Sequence, residues 1–338
     1  MRKTQMKEQS DSTIVIKHGW QMFLWRQFDE NVIWFIVLIC FLALVTGVKG
    51  FLTYENFISL MVSTVVVGIL AIGESLCLII GMFDLSIEST LAFSTMVAIL
   101  LFQKYHMSAI LVIPLILMIG LIIGVFNAVF IVKLGVNPFI QTLAVLVILR
   151  GVVILITGGT TLINLPGWYR FIGTKSIFKM PLQVFILVIL FIVFIILLEK
   201  TPWGRRIYAI GSNKFAATAS GINVQNMIMS AFIISSVLAS IAGLIFTSRV
   251  GAVFPTVGEG QIFDVMAAAV IGGISLQGGR GKLVGVLGGA IFLSFISTMI
   301  VWFNMPVMGV RALRGVIILL AVLLDAMKNK LRSRFLLG

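Results

Sequence analysis

The sequence predicts an all-α, polytopic membrane protein of about ten transmembrane helices, and three observations support this fold class. They are the apolar composition, the lengths of the apolar runs and the distribution of basic residues. Of the 338 residues, 60% are hydrophobic and only 11% are charged, whereas soluble domains carry roughly 25% charged residues. A spanning helix needs about 20 mostly apolar residues, so this composition suits about ten spans and leaves little for a soluble domain.

The apolar runs place the predicted spans near residues 32–48, 58–81, 84–103, 108–132, 138–157, 181–198, 226–246, 263–276, 283–303 and 311–327. Two of them are irregular. The span that starts at Asp84 is barely separated from its predecessor, and the span near 263–276 is short. We therefore expect broken or short helices at these positions.

Basic residues predict the orientation of these spans, because Lys and Arg are enriched in cytoplasmic loops. With ten spans and a cytoplasmic N-terminus, the inside segments hold sixteen basic residues and the outside segments eight, while Arg150 lies within a span. The net charge of +13 is then mainly a topology signal. A nucleic-acid-binding surface is the alternative explanation of this charge, and the inside bias favours topology.

The same pattern divides the chain into three parts. Residues 1–30 form a predicted cytoplasmic N-terminal segment, residues 31–327 a transmembrane domain with a cytoplasmic loop at 199–225, and residues 328–338 a cytoplasmic tail. The segment before the first apolar run is too long for a cleavable signal peptide. An integral membrane protein with several spans is therefore expected.

Nucleotide-binding and metal-binding motifs do not fit the sequence. Gly281-Lys282 is followed by Leu283, whereas a phosphate-binding loop needs Ser or Thr at that position to complete the Mg²⁺ shell. The two cysteines form no CxxC pair and there are two histidines, so we expect neither a metal site nor a cofactor.

The cytoplasmic loop contains a predicted short helix. Asn213 is a good N-cap residue and Gly221 a good residue for the position after the helix. Between them, Ala216 and Ala217 leave a surface of small residues that another protein could approach closely. The alternatives are a docking helix for a cytoplasmic partner and a surface loop with a passing helical turn.

Four stretches resemble the permease subunits of ribose-type sugar importers of the ATP-binding-cassette class. They are GMFDLSIES (81–89), NPFIQTLAVLVILRG (137–151), TPWGRRIYAIGSNKFAATASGINV (201–224) and AAAVIGGISLQGGRGKLVGVLGGA (267–290). The resemblance covers about residues 30 to 327. It implies a multi-pass protein of the bacterial cytoplasmic (inner) membrane that works with a second permease subunit, identical or related, a separate cytoplasmic ATPase and an extracytoplasmic solute-binding protein. The chain itself is expected to form the pathway and not to be an enzyme.

The predicted site residues fall into three sets. The substrate-pathway candidates are Asp84, Ser86, Asn127, Asn137, Phe139, Gln141, Thr142 and Arg150. The ATPase-coupling candidates are Arg205, Arg206, Asn213, Ala216, Ala217 and Gly221. The glycine-rich segment contains Gly272, Gly273, Gly278, Gly279 and Gly281, which allow close helix approach and a non-helical break.

Ionisable groups within spans need partners, because an ionised residue at mid-membrane costs about 2.5–3.5 kcal/mol on insertion scales. Asp84 or Ser86 could cap a helix start or could touch the solute. Arg150 needs one of the three carboxylates Glu74, Asp84 and Glu88 as a partner, and the sequence does not say which.

Several residues depart from the family pattern. Met82 replaces a glycine, Phe83 replaces an isoleucine, Glu88 replaces a small residue, and Ile262 stands where the family often carries an acid. These departures make ribose an unsafe assignment. An ion-coupled secondary transporter, with Asp84 and Glu88 as ion ligands, is the main alternative function, and the predicted docking helix counts against it. An intramembrane enzyme would need a nucleophile–base pair or a metal set, and neither is visible.

Overall fold

The computed structural model describes residues 32–47, 50–105, 107–163 and 165–302, together with a few helical positions between 309 and 323. These ranges contain twelve helices: α1 (Val32–Gly47), α2 (Tyr54–Ile79), α3 (Ile87–Tyr105), α4 (Ala109–Lys133), α5 (Pro138–Thr157), α6 (Gly167–Thr174), α7 (Leu182–Lys200), α8 (Pro202–Ser212), α9 (Lys214–Ala219), α10 (Val224–Val250), α11 (Gln261–Ile271) and α12 (Leu283–Trp302). A two-stranded hairpin pairs β1 (Ser176–Ile177) with β2 (Met180–Pro181). The all-α prediction is confirmed.

Six of the described helices, α2, α3, α4, α5, α7 and α10, are long and apolar enough to cross a membrane, and α1, α11 and α12 are shorter apolar helices. The predicted N-terminal segment (1–30) and C-terminal tail (328–338) lie outside the described residues. The predicted span near 311–327 is described only at scattered helical positions.

Contacts between helix ends sort into two layers. In one layer, the Tyr54 hydroxyl donates to the Lys179 carbonyl and Gln103 donates to the Ile163 carbonyl. In the other layer, the Gly279 N–H donates to the Ile79 carbonyl and the Tyr208 hydroxyl donates to the Gly281 carbonyl. The basic-residue count assigns the first layer to the outside and the second to the cytoplasm.

The long helix α10 occupies the centre and packs against α2, α3 and α4. Glycines permit this packing. A Cβ on Gly124 of α4 would lie 2.7 Å from the Ile233 Cα of α10, so the two backbones are nearly in contact. Such small-residue interfaces hold membrane helices together because lipid-exposed apolar surface supplies little driving force for association.

Two crossings are interrupted, as the short spans predicted. The first break, residues 80–86, separates α2 from α3, so the predicted start at Asp84 moves to Ile87. The second break, residues 251–260, separates α10 from α11. The predicted span near 263–276 is an eleven-residue helix, Gln261–Ile271, which is only about 16 Å long. The non-helical second break, which is mostly turns, leads into this short helix.

Candidate functional site

The first break is organised around the buried carboxylate of Asp84. Asp84 Oδ1 accepts from the Ser86 N–H and hydroxyl, and Oδ2 accepts from the Ser235 hydroxyl of α10 at 2.9 Å. The Asp84 N–H in turn donates to the buried carboxyl group of Glu74 on α2, at 3.2 Å. Asp84 therefore ties the start of α3 to α10, and Glu74 ties it to α2.

A chain of amide side chains continues from this point. Asn127 Nδ2 of α4 donates to the Ser86 Oγ at 2.8 Å, and Gln141 Nε2 of α5 lies 3.5 Å from the Asn127 Oδ1. The Thr142 hydroxyl contacts the Phe83 carbonyl at 3.4 Å. Five predicted pathway residues, Asp84, Ser86, Asn127, Gln141 and Thr142, thus belong to one polar cluster that joins the first break to α2, α4, α5 and α10.

The depth of the cluster follows from α10. Ser235 lies eleven residues after the first residue of α10 and fifteen before the last, which places it about 17 Å and about 22 Å from the two ends. Hydrogen-bonded polar groups at this depth are expected, because the bilayer core offers no water to an unpaired group.

The second break is held by Glu88 and Arg150. Glu88 Oε2 accepts from the Gly260 N–H at 2.9 Å and from the Ile262 N–H at 3.3 Å, at the start of α11. Its Oε1 lies 3.4 Å from Arg150 Nη2 of α5. The partner of Arg150, which the sequence left open among three carboxylates, is therefore Glu88.

Arg150 also fixes the irregular backbone of the second break. Its Nη1 donates to the Pro255 and Val257 carbonyls, each at 2.9 Å. The Arg150 and Glu88 side chains are only 15% and 7% exposed. A negative group at a helix N-terminus satisfies free N–H groups and interacts favourably with the helix dipole, so Glu88 stabilises α11 as well as Arg150.

Two departures from the family pattern, Glu88 and Ile262, meet at this contact. The carboxylate of Glu88 accepts from the backbone N–H of Ile262. The Glu88 carboxylate of α3 thus lies at the position where the resemblance leads us to expect an acidic side chain on α11.

The remaining predicted pathway residues lie apart from the cluster. Asn137 is exposed and caps α5 by accepting from the Phe139 N–H at 2.9 Å. Phe139 is also exposed. Both stand at the cytoplasmic end of α5, about two turns from Thr142 or less, and neither reaches the buried amides.

The glycine-rich segment follows α11 and lies in the cytoplasmic layer. A Cβ on Gly278 would lie 2.9 Å from the Gly81 nitrogen, and Gly278 has a φ of 83°. A Cβ on Gly211, near the end of α8, would overlap the Ile79 carbonyl oxygen. We call these mutual contacts of Ile79, Gly81, Gly211, Gly278 and Gly279 the glycine junction. It connects α8 to both interrupted crossings.

The other glycines of the segment also allow close approach or an unusual backbone. Gly272 lies against Gly285 and Val286 at the start of α12, and Gly273 and Gly281 have φ values of 92° and 121°. The segment is therefore a compact turn between α11 and α12.

The predicted short helix of the cytoplasmic loop is α9, and Asn213 caps it by accepting from the Ala216 N–H at 3.0 Å. Gly221, with a φ of 77°, follows its end. Arg205, Arg206 and Ala216 are exposed. Ala217 is buried, so the expectation that it forms part of an exposed surface is wrong: its small side chain holds α9 against the core.

Three residues that are relevant to the candidate site, Ser235, Phe215 and Glu259, were absent from the predicted sets. Ser235 binds Asp84 from a serine-rich helix whose polar residues carry no distinguishing pattern. Phe215, on α9, is 89% exposed, and an aromatic residue in a short polar helix was a visible signal. Glu259 is an exposed carboxylate in the second break, and its surroundings in the sequence are typical of an ordinary loop. Within the described residues, no three His, Cys, Asp or Glu side chains could hold a metal ion together.

Comparison with known proteins agrees with this geometry. Residues 56–322 match the family described as branched-chain amino acid transport system / permease component. The ribose import permease protein of Haemophilus influenzae is 34% identical over 296 residues, which are 86% of this chain and 91% of that protein. The ribose import permease protein of Bacillus subtilis is 34% identical over 288 residues, 83% and 87% of the two chains.

A third relative carries a different solute in its name. The L-arabinose permease protein of Azospirillum brasilense is 30% identical over 309 residues, which are 91% of each chain. No solved structure matches the chain. Because the family match covers most of the chain and the relatives are similar along nearly their whole length, the chain belongs to the family of transport-system permease components.

Proposed function

We propose that this chain is the membrane-spanning permease subunit of an ATP-driven importer for a monosaccharide or a related small, neutral, polar solute. The observation that carries the proposal is the 30–34% identity to ribose and L-arabinose permeases over at least 83% of this chain. The similarity to bacterial permeases, together with six helices long and apolar enough to cross a membrane, places the protein in the bacterial cytoplasmic membrane.

The polar cluster supports a neutral solute. Helix N-termini at membrane depth commonly bind the anionic groups of transported solutes. Here the starts of α3 and α11 are already occupied by the chain's own carboxylates, Asp84 and Glu88. The amide groups of Asn127 and Gln141 beside them suit the hydroxyl groups of a sugar, which both donate and accept. The pathway residues are therefore proposed to be Ser86, Asn127, Gln141 and Thr142, with Asp84 and Arg150 as supports.

The cytoplasmic face supports a separate ATPase partner. Phe215 projects from α9 and is 89% exposed, and the preceding helix of the same loop, α8, carries the exposed Arg205 and Arg206. Aromatic residues and arginines are enriched in protein interfaces. We propose that Phe215 inserts into the ATPase, and that Ala216 lets its surface approach α9 while Ala217 and the caps Asn213 and Gly221 hold α9 in place.

The glycine junction offers a route for coupling. A displacement of α8 must move the Ile79 carbonyl and the glycine-rich segment, because their backbones are in contact at Gly211. Ile79 and Gly81 lie beside the first break, and Gly278 follows α11. ATPase closure could thus be transmitted to both interrupted crossings. A second permease subunit and a solute-binding protein complete the proposed importer.

The ion-coupled alternative is less well supported. Both oxygens of Asp84 already accept hydrogen bonds, and both oxygens of Glu88 are committed to Arg150 or to backbone N–H groups. A sodium or proton site at either residue would have to compete with these hydrogen bonds and with the charge of Arg150.

The test is reconstitution in proteoliposomes with the cognate ATPase and binding protein, with uptake of radiolabelled D-ribose and L-arabinose measured with and without ATP. ATP-dependent uptake of either sugar, absent without the ATPase, is expected. Uptake driven by a proton or sodium gradient without the ATPase would overturn the proposal.

The docking surface has a matched pair of variants. Phe215→Ser should reduce ATPase co-purification at least tenfold, because interface aromatics of this kind contribute roughly 2 kcal/mol or more. Phe178→Ser, at a phenylalanine that is 97% exposed in the outside hairpin, should leave co-purification unchanged. Equal retention of the ATPase by both variants would place the docking surface elsewhere.

A further inference from the structure

The second break carries an exposed carboxylate at membrane depth. The Gly260 N–H donates to Glu88, which pairs with Arg150 of α5. Arg150 lies twelve residues after the start of α5 and seven before its end, which corresponds to about 18 Å and about 10 Å along the helix. Glu259, the residue before Gly260, is therefore well inside the bilayer thickness.

One side of the second break faces out of the chain. Pro255 and Val257 are buried, whereas Thr256 and Glu259 are exposed, and Phe263 continues the same exposed side into α11. We call Thr256, Glu259 and Phe263 the open face. Within the described residues, the Glu259 carboxylate has no hydrogen-bond or ion-pair partner, and its backbone N–H closes a turn onto the Thr256 carbonyl at 3.1 Å.

Lipid is excluded as the neighbour of this face. Irregular backbone at membrane depth is tolerated only where it is buried in protein or lines a water-filled cavity. Acidic side chains in spanning segments likewise face the protein interior or water. An exposed carboxylate on a non-helical segment meets both conditions, so the open face must be covered by water or by protein.

We propose that the open face lines the water-filled translocation pathway, and that Glu259 makes this part of the pathway selective for neutral or cationic solutes over anionic ones. The inference rests on the proposed transport function and adds a specificity-determining residue to it. A carboxylate can accept from two neighbouring hydroxyl groups of a sugar, and it repels a phosphate or carboxylate group on a competing solute. Phosphorylated sugars would therefore be disfavoured at this point.

Water access is tested by cysteine labelling of the complete importer in membrane vesicles, in a background carrying Cys40→Ser and Cys77→Ala. Glu259→Cys should react with a charged, membrane-impermeant methanethiosulfonate reagent. Val147→Cys, on the exposed apolar side of α5 (62% exposed), is the matched control and should react at least tenfold more slowly. Equal rates in the two variants, or no reaction of Glu259→Cys with or without ATP, would overturn the proposal. The second of these results would mean that protein covers the face.

Selectivity is tested without knowledge of the solute. In a Thr256→Cys variant, a cationic methanethiosulfonate reagent should react faster than an anionic one, because the Glu259 carboxylate lies one turn away. Adding Glu259→Gln should reduce the ratio of the two rates about tenfold, the size expected for a unit charge within several ångströms in water. An unchanged ratio would show that Glu259 does not set the charge of the pathway.

These outcomes separate the inference from the function. ATP-dependent sugar uptake together with an unreactive Glu259→Cys variant would leave the importer assignment intact and remove Glu259 from the pathway. A reactive Glu259→Cys variant without any ATP-dependent uptake by the parent importer would support the open face and contradict the importer.

Discussion

The two breaks solve the same problem in different ways. An interrupted helix at membrane depth leaves N–H groups that need acceptors. In the first break, Asp84 supplies the acceptor from within the break itself, and Ser86, Ser235 and Glu74 complete a buried set of hydrogen bonds. In the second break, the acceptor is the carboxylate of Glu88 on α3, which also pairs with Arg150 on α5.

The two breaks also differ in how exposed their polar side chains are. The polar side chains of the first break are buried and partnered, whereas the second break leaves Thr256 and Glu259 exposed. The first break is therefore sealed from water and supports the helices around it, whereas the second break is open to water on one side. Solute contact with the second break needs no rearrangement of buried groups, whereas contact with the proposed pathway residues Ser86, Asn127, Gln141 and Thr142 requires the buried cluster to open during the transport cycle.

Removing Arg150 should have the largest effect. Arg150→Met leaves the Glu88 carboxylate unpaired at membrane depth and removes the donor to the Pro255 and Val257 carbonyls. Breaking a buried ion pair by deleting one partner destabilises proteins by about 3–5 kcal/mol. We expect a large drop in the midpoint of thermal unfolding, measured by size-exclusion recovery after heating in detergent.

A double variant controls for the loss of the arginine side chain itself. Glu88→Gln combined with Arg150→Met removes both charges and should recover part of the lost stability. A melting midpoint for Arg150→Met equal to that of the parent protein would contradict the assigned role of this pair.

Replacement of Asp84 should have the next largest effect on stability, because it removes the central acceptor of the first break. Asp84→Leu leaves the Ser86 and Ser235 donors without their acceptor and should cost about 2–3 kcal/mol. Asp84→Asn keeps one acceptor oxygen and should cost less. The same melting assay checks both, and equal stability of Asp84→Leu and the parent would show that the cluster is not a structural support.

The sequence predicted most of the helical architecture. The details that it did not predict have physical explanations. Apolar runs located the crossings, because a spanning helix must bury about 20 residues in lipid. The short span at 263–276 correctly indicated a broken crossing. The second break could not be located, because Pro255, Thr256 and Glu259 are typical of a surface loop and hydropathy does not report depth for non-helical chain.

The sequence predicted which residues form the polar cluster better than it predicted the contacts between them. Asp84, Ser86, Asn127, Gln141 and Thr142 were identified as polar groups in apolar spans, and the structure brings them together. The Arg150–Glu88 pair depends on how α3 and α5 are rotated and offset, which periodicity alone does not fix. Ala217 was assigned to a surface because a six-residue helix has too few turns to reveal its buried side.

A methyl group at the glycine junction, where α8 meets the first break and the segment that follows α11, should have a moderate effect. Gly211→Ala would put a Cβ on top of the Ile79 carbonyl oxygen, and overpacking of this kind costs about 1–3 kcal/mol. Reduced ATP-dependent uptake at a given ATPase content is expected in proteoliposomes. Gly151→Ala of α5, where nothing lies within 4 Å of the new Cβ, is the control; equal losses in both variants would argue against the junction.

The smallest effect is expected for Tyr208→Phe, which removes the hydrogen bond to the Gly281 carbonyl at 2.7 Å. A neutral hydrogen bond contributes about 1 kcal/mol. Burial, with a further contribution from the negative charge of Glu199, raises the pKa of Tyr208 to about 12. The hydroxyl therefore remains protonated, and the stability difference between Tyr208→Phe and the parent should be constant from about pH 6 to about pH 9.

Tyr105 provides the control for the tyrosine variant, since its hydroxyl has no hydrogen-bond partner among the described residues and its side chain is exposed. Tyr105→Phe should melt like the parent at each pH. A Tyr208→Phe effect that disappears as the pH rises through this range would contradict the assigned protonation state.

Hydrogen–deuterium exchange of the assembled importer tests the central claim, that one break is sealed and the other is open to water. Peptides that cover residues 80–88 and 252–262 report on the two breaks in the same sample. We expect slow exchange in the first peptide, where the Asp84 and Ser86 N–H groups are bonded to buried carboxylates, and exchange at least tenfold faster at the Thr256 and Gly258 N–H groups of the second, which donate no hydrogen bond within the described residues. Equal protection of both peptides, or faster exchange in residues 80–88, would contradict it.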